Sequence, residues 1–587
     1  MKKIIFFTVL LLLILLLIGS SNVVLGQIQP EAGFCFLEEI NFYFHTNSYF
    51  NRLALRSSKT RIWRVFQPAD SNPASKPLFV FFNGGPGGAT SAGLFSAYTG
   101  RKAVSYDPNT GTGSVIINPH SWTSIGNLLH VDSRNAGFSY SLMDDPQDDI
   151  LRRSEWDAQN YNCFIDAADF IRVLLRFLAE HPQMQSNPVV LAVESYGGIR
   201  SLVMLHLLLF YQDYANGKAV YQDPALIQEI QDHYDAVFPE YAGQTVPPAV
   251  IAQQFSHQIL IQPAITWYYQ KLLEVEMLEA PGSILDQLAQ ETGVPYIRYA
   301  DHPEARNNPS PHRVMNYIYA YLDAIGRDPY IYPNPDGYFD GYFDAAADLL
   351  THFGGLSQMT GVDVSGISEL YASARQNAYK IKFLEDDATR MSFSALIDPE
   401  PRASDLESFL FPCAEEDMEA VFGVLQPWDR YFIDLNYDVP NAFTLNRAVM
   451  EHYDIQYSYS MSYGDMFLEN VAYVNTFVTD AAYDLVVYAP SLPQALAYHT
   501  SKVISSIHDT DNPFMAERPG QIVLQYQPGS VPGSGVMTRT IRFPRYTQSG
   551  HAVTMTEPGE MLDDVIDWLS KTGLSIDMQK HPLKDNQ

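Results

Sequence analysis

The run "VVLAVESYGG" holds the first residue type and setting that could do chemistry. An apolar, strand-like stretch (189–194) ends at an acid, Ser195 follows at once, and two glycines open the helical pattern "GGIRSLVMLHLLLFYQ". A serine in a strand–serine–helix turn has its hydroxyl exposed at the top of a sheet, with a helix N-terminus directed at it. The same position also suits an ordinary helix N-cap, and this stretch alone leaves both readings open. Gly197 and Gly198 are small on the helix side, whereas Val193 stands where many such turns carry glycine.

Two other stretches shift the balance. "FFNGGPGGATS" (81–91) reads as a strand ending in a glycine-rich loop. Successive glycines let backbone N–H groups converge on one point, as an oxyanion hole requires. A phosphate-binding loop or a plain turn are the competing readings, but no "GK[ST]" follows. A serine hydroxyl is a poor nucleophile until an imidazole takes its proton, and that imidazole needs a carboxylate to fix its tautomer. His551, flanked by Gly550 and following the strand-like "TRTIRF", is the histidine best placed for this role.

Four motifs occur in order: "NGGPGG", "NPHSWTSIGNLLHVDSRNAGFSYS" (118–141), "ESYGG" and "SGHAVTMTEP" (549–558). Together they resemble the serine carboxypeptidase family of α/β-hydrolases. The resemblance implies Ser195 as nucleophile, His551 as general base, and the backbone N–H groups of Gly85 and Tyr196 as oxyanion donors. The family's acid lies at the carboxyl end of a strand. The register "VNTFVTDAAYD" (474–484) puts Asp484 there, with Asp480 in reserve; reading "DLVVYAP" as the strand would leave no acid in place.

The resemblance also implies that Asn83 and Glu194 bind the substrate's terminal carboxylate. The second glutamate of that network is missing, because Ala97 occupies its position, and Gly88 replaces the family's cysteine. Lacking a carboxyl partner, Glu194 should ionise more easily and hold a free C-terminus less well, since two carboxyls sharing a proton raise each other's pKa.

These residues need elements to hold them. "LFVFFN" (78–83), "LLHVDS" (128–133) and "VVLAVE" (189–194) read as buried strands, with helical stretches such as Trp156 to Glu180 between them. That pattern predicts a central, mostly parallel sheet flanked by helices, with active residues just past the strands' carboxyl ends. "QILIQPAI" (258–265) reads as one more core strand. The chain from Ser195 to Asp484 is far longer than a crossover requires. Residues 266–466 are therefore expected to form a mainly helical cap, dividing the catalytic core into 27–265 and 467–587. "NPDGYFDGYFD" (334–344) is acidic but lacks a calcium-loop register, and is expected to be a solvated turn.

Composition bounds the remainder. With 587 residues, 46% of them hydrophobic, the chain can bury a large core. Its net charge of −30 has no basic block, which argues against nucleic-acid binding. Lys2 and Lys3, an apolar stretch from Ile4 to Gly19 and "SSNVVLGQ" describe a secretory signal over 1–26, cut after Gly26. The apolar run falls short of the ~20 residues that span a bilayer, so a stable membrane anchor is not expected. Three cysteines, Cys35, Cys163 and Cys413, cannot form a fully paired framework; Cys163 reads as a small core residue. No His/Cys cluster has metal-ligand spacing, and neither metal nor cofactor is expected.

The expectation is a secreted or periplasmic serine hydrolase, a carboxypeptidase-type peptidase releasing C-terminal residues from peptides. An esterase or acyltransferase with the same triad is the nearest alternative. A binding protein that kept the fold and lost activity is the third, supported by Val193, Ala97 and the displaced acid motif.

Overall fold

The structure is a computed structural model. It describes residues 28–367 and 463–574, apart from 46–51, 86–87, 143–162, 218–220, 302–310, 329–336, 500–502, 509–519, 527–535 and positions 58, 135, 266 and 352. The expected signal segment and Cys413 lie outside the described residues.

Strands whose residues are buried throughout make the centre. Leu78–Phe82, Asn127–Val131 and Val189–Glu194 have every residue buried, as a parallel strand covered on both faces must. They pair in parallel, with Val80 opposite Leu129 and Ala192 opposite Phe81. Phe255–Ile261 continues the parallel run beside Val189–Glu194, then Asn475–Val478, then Met537–Arg542. Antiparallel strands close both edges: Thr60–Gln67 and Glu31–Leu37 on one side, Gln521–Tyr526 and Val503–His508 on the other. With the short strand Tyr140–Ser141, the sheet has eleven strands among the described residues.

Helices cover both faces. Cys163–Glu180 and Gly197–Leu209 pack on one, and Pro558–Lys571 on the other, each through a buried apolar stripe such as Met561, Val565 and Leu569. The result is an α/β-hydrolase sheet. Strand order reverses at Leu78–Phe82: the next parallel strand in the chain, Asn127–Val131, lies on one side and the following one, Val189–Glu194, on the other. In open sheets, ligands bind beside the carboxyl ends of the strands at such a reversal.

The described helices between 267 and 360 rest in two separate clusters. Met277, Leu285, Met315, Ile318 and Leu322 pack with Leu485 and Tyr488, next to Asp484. Tyr342, Ala346, Leu350 and Leu356 pack with Ala89 and Phe95, beside the glycine-rich loop. The helix Tyr463–Val471 crosses the expected boundary at 466, and all its apolar side chains join the core.

Two local expectations are corrected. "NPDGYFDGYFD" is not a solvated turn from Tyr338 onward, where the helix Tyr338–Thr351 begins. Tyr342 and Ala346 recur at helical spacing and are buried, which outweighs the glycine and the acids. The strand before Asp484 ends at Val478, so Asp484 follows a short bridge (Asp480–Ala481) and a turn instead of closing the strand itself.

Candidate active site

The turn after Val189–Glu194 has a conformation that non-glycine residues seldom adopt. Ser195 has φ 58°, a left-handed backbone that costs on the order of 1 kcal/mol and persists only when its surroundings fix it. Three backbone hydrogen bonds do so. Ser195 N–H donates to Ile261 O (3.0 Å), while its carbonyl accepts from Gly198 N (2.8 Å) and Ala264 N (3.0 Å). Ser195 is partly buried at the head of the helix Gly197–Leu209.

Val193 is fully buried, and a Cβ at Gly197 would lie 3.2 Å from its Cβ. The small residue that close packing needs is therefore on the helix side, which explains why valine is tolerated on the strand side.

The glycine-rich loop lies against this turn. A Cβ at Gly84 would sit 2.5 Å from Tyr196 N, 2.7 Å from Glu194 O and 2.8 Å from Ser195 Cβ, closer than real side chains approach. Only glycine at position 84 lets the loop lie this close to Tyr196. Asn83 anchors the loop through both its backbone and its side chain. Its N–H donates to Thr90 Oγ1 (3.1 Å), and its Oδ1 accepts from Leu94 N (2.8 Å). Its Nδ2 donates to Glu194 Oε1 (2.8 Å). Its carbonyl accepts from Arg200 Nη1 (2.6 Å), a buried guanidinium paired with Asp166 (2.7 Å) and lying over the Phe170 ring at 4.5 Å. Burial raises the Asp166 carboxyl above its ordinary range, against the pull of Arg200.

Glu194 departs from the sequence expectation. Removal from water pushes its carboxyl up to about 7, although the Asn83 bond and His551 favour the ionised form. Burial thus does what a second carboxyl was expected to do. Ala97, buried and in a non-helical conformation, contributes no acid.

His551 and Asp484 meet directly: Nδ1 lies 2.9 Å from Asp484 Oδ2. An ionised carboxylate only accepts, so Nδ1 carries the proton and Nε2 is left as an acceptor. Asp484 is fully buried and holds four donors. Val486 N (2.8 Å) and Val487 N (2.9 Å) serve Oδ1, and Gln262 Nε2 (2.7 Å) and His551 serve Oδ2. The Tyr483 N–H donates to Ser549 O (2.9 Å) and ties the acid loop to the histidine loop. The reserve candidate, Asp480, faces elsewhere, paired with Arg545 at 3.2 Å and pushed by burial up to about 6.

Three groups at the site escaped the sequence reading: Arg200 with Asp166, Gln262, and Thr479. Gln262 offered a signal, as a lone polar residue closing an apolar strand at its carboxyl end. Arg200 lies inside an apolar helical run, where a cation with no visible partner reads as nothing more than a helix former. Among the described residues no group of three or more His, Cys, Asp or Glu could hold a metal ion, and no helix is long and apolar enough to cross a membrane.

Residues 41–216 match the family model described as serine carboxypeptidase. Among curated proteins, the chain is 27% identical over 139 residues to serine carboxypeptidase-like 20 of Arabidopsis thaliana, covering 24% of this chain and 26% of that protein. It is 30% identical over 154 residues to carboxypeptidase S1 of Penicillium janthinellum, covering 26% and 31% respectively. The matches thus span about a third or less of those relatives' length. A solved prohormone-processing carboxypeptidase of Saccharomyces cerevisiae aligns over 92% of this chain and 91% of its own, at 12% identity and a TM-score of 0.41. The fold assignment rests on the sheet order described above. Residues 41–216, which hold the glycine-rich loop, Glu194 and Ser195, are thus the part of the chain that is similar to the serine carboxypeptidases.

Proposed function

We propose that the protein is an exported serine-type carboxypeptidase. Ser195 Oγ attacks the scissile carbonyl, His551 Nε2 takes its proton and returns it to the leaving amine, and Asp484 keeps the imidazole in that tautomer. The N–H groups of Gly85 and Tyr196 receive the developing oxyanion, and water then releases the acyl group. The observation that carries this reading is the 2.9 Å contact of His551 Nδ1 with a buried, four-donor Asp484, in a fold that also holds Ser195 at φ 58°.

Below about pH 7 the buried Glu194 keeps its proton and can donate to a substrate carboxylate alongside Asn83. The cap helices beside the glycine-rich loop and the acid loop would set side-chain preference. Ala97 favours one alternative, an esterase or acyltransferase on the same triad, since a carboxylate site with a single acid discriminates less.

The test is mass-spectrometric analysis of a peptide series incubated with the protein, each peptide as free acid and as amide. Stepwise loss of C-terminal residues at pH 5, faster for the free acid, supports the carboxypeptidase. Hydrolysis of esters with no release of C-terminal residues transfers the assignment to the esterase.

A further inference from the structure

Gln262 occupies a position that no sequence motif assigned. It follows the strand Phe255–Ile261, is fully buried, and has φ 45°. A buried glutamine in a left-handed conformation is unfavourable unless its amide is used. Here its backbone N–H and both ends of its side-chain amide have partners. Its backbone N–H donates to Thr479 Oγ1 (2.9 Å). Its side-chain Oε1 accepts from Thr479 Oγ1 (3.1 Å) and from Ala481 N (3.1 Å). Two donors at Oε1 fix which end of the amide is oxygen, so Nε2 must face Asp484 Oδ2, at 2.7 Å. Thr479 is itself tied to the neighbouring strand by its N–H to Leu260 O (3.0 Å).

The consequence lies in the geometry of Oδ2. That one oxygen accepts from both Gln262 Nε2 and His551 Nδ1. We infer that Gln262 is a positioning residue, which fixes the acid's Oδ2 against His551 and, by donating to it, limits how strongly the carboxylate attracts the imidazolium proton. The inference rests on the Ser195–His551–Asp484 reading. Removing the donor should leave Asp484 a stronger base, raise the pKa of His551, and free the carboxylate to rotate.

Two variants of the full chain separate positioning from mere structural support. Gln262→Met keeps the volume and deletes the donor. Gln262→Glu can still donate while its new carboxyl is protonated, and loses that donor on ionisation, when a second charge also faces Asp484. The readout is the second-order rate of Ser195 modification by a fluorophosphonate from pH 4 to 9, with melting temperature measured in parallel.

For the wild type the rate should rise with pH; Glu194, which faces His551 and Asp484, and Asp480, beside Asp484, are present in every variant, so each profile is read against that of the wild type. Gln262→Met should react about 10²-fold more slowly, with the rise displaced to higher pH. Gln262→Glu should approach wild-type rates at the acid end and acquire an alkaline loss that the wild type lacks. A Gln262→Glu profile of wild-type shape, or a folded Gln262→Glu protein that reacts at no pH, overturns the inference. Should Gln262→Met fail to fold, the Gln262→Glu profile decides alone. A wild type that does not react at all overturns the triad reading and this inference with it, whereas a reactive wild type with unaltered variants overturns only the role of Gln262.

Discussion

The two sides of the candidate site are built by different means. On the nucleophile side, Gly84, Ser195 and Gly197 are placed by backbone proximity: a loop that admits no Cβ, a left-handed serine, and a helix packed onto its strand. On the acid–base side, placement depends on side chains, through Gln262, Thr479, Asp484 and His551 in one hydrogen-bonded chain. The family match covers the first side and ends at residue 216, well before the second. Backbone-defined sites demand particular small residues at fixed spacing and so leave motifs. A side-chain network can be satisfied by several residue combinations and leaves little trace.

That contrast can be broken most sharply at the acid. Asp484→Asn should lower turnover about 10⁴-fold, because an asparagine presents the wrong partner to Nδ1 and selects the wrong tautomer. Asp480→Asn should cost less than tenfold, since Asp480 pairs with Arg545 instead. Steady-state kcat on a p-nitrophenyl ester decides the ranking, and the reverse order would place the acid four residues earlier.

On the nucleophile side, Gly84→Ala should reduce kcat about 10²–10³-fold with the triad intact, by pushing the loop off Tyr196 and misplacing an oxyanion donor. Normal kcat in this variant would show that the loop contributes no donor. Arg200→Met tests the brace beneath that loop. It leaves Asp166 buried without its cation, so denaturant unfolding should show a loss of about 3–5 kcal/mol. A change below ~1 kcal/mol would mean the pair is dispensable and the loop holds itself.

The smallest expected effect sharpens the account of Glu194. Its carboxyl sits near 7 in the folded protein against 4.5 for the ordinary side chain. As pH rises between these values the unfolded chain gives up the proton first, so the wild type loses stability there. Glu194→Gln cannot, and its advantage over the wild type should grow from nothing at pH 4 to on the order of 3 kcal/mol above pH 7. In parallel, the wild-type preference for free acid over amide should fall through about pH 7, and become independent of pH in the variant. A flat stability difference would show that Glu194 titrates normally.

How far the sequence carried follows the same division. The three central strands, the helix that follows Ser195 and the tight turn between strand and helix were legible, because buried parallel strands read as continuous apolar runs and the turn needs glycines. Asp484 was legible only as a register choice, and its strand ends earlier than the pattern implied, at Val478. Arg200 was not legible, and Gln262 showed only as a polar residue closing an apolar strand, since their partners are distant in sequence and the contacts form only on folding. The rise of Glu194 was misjudged for a related reason: composition names its neighbours but not its burial.

The central claim is that Ser195 is a nucleophile activated by His551, and covalent labelling tests it most directly. A fluorophosphonate probe, followed by proteolysis and mass spectrometry, should mark the peptide containing Ser195 in the wild type. It should leave Ser195→Ala unmodified, and modify His551→Ala at least about 10³-fold more slowly. Labelling that persists in Ser195→Ala, or a wild type that is never labelled, would contradict the account.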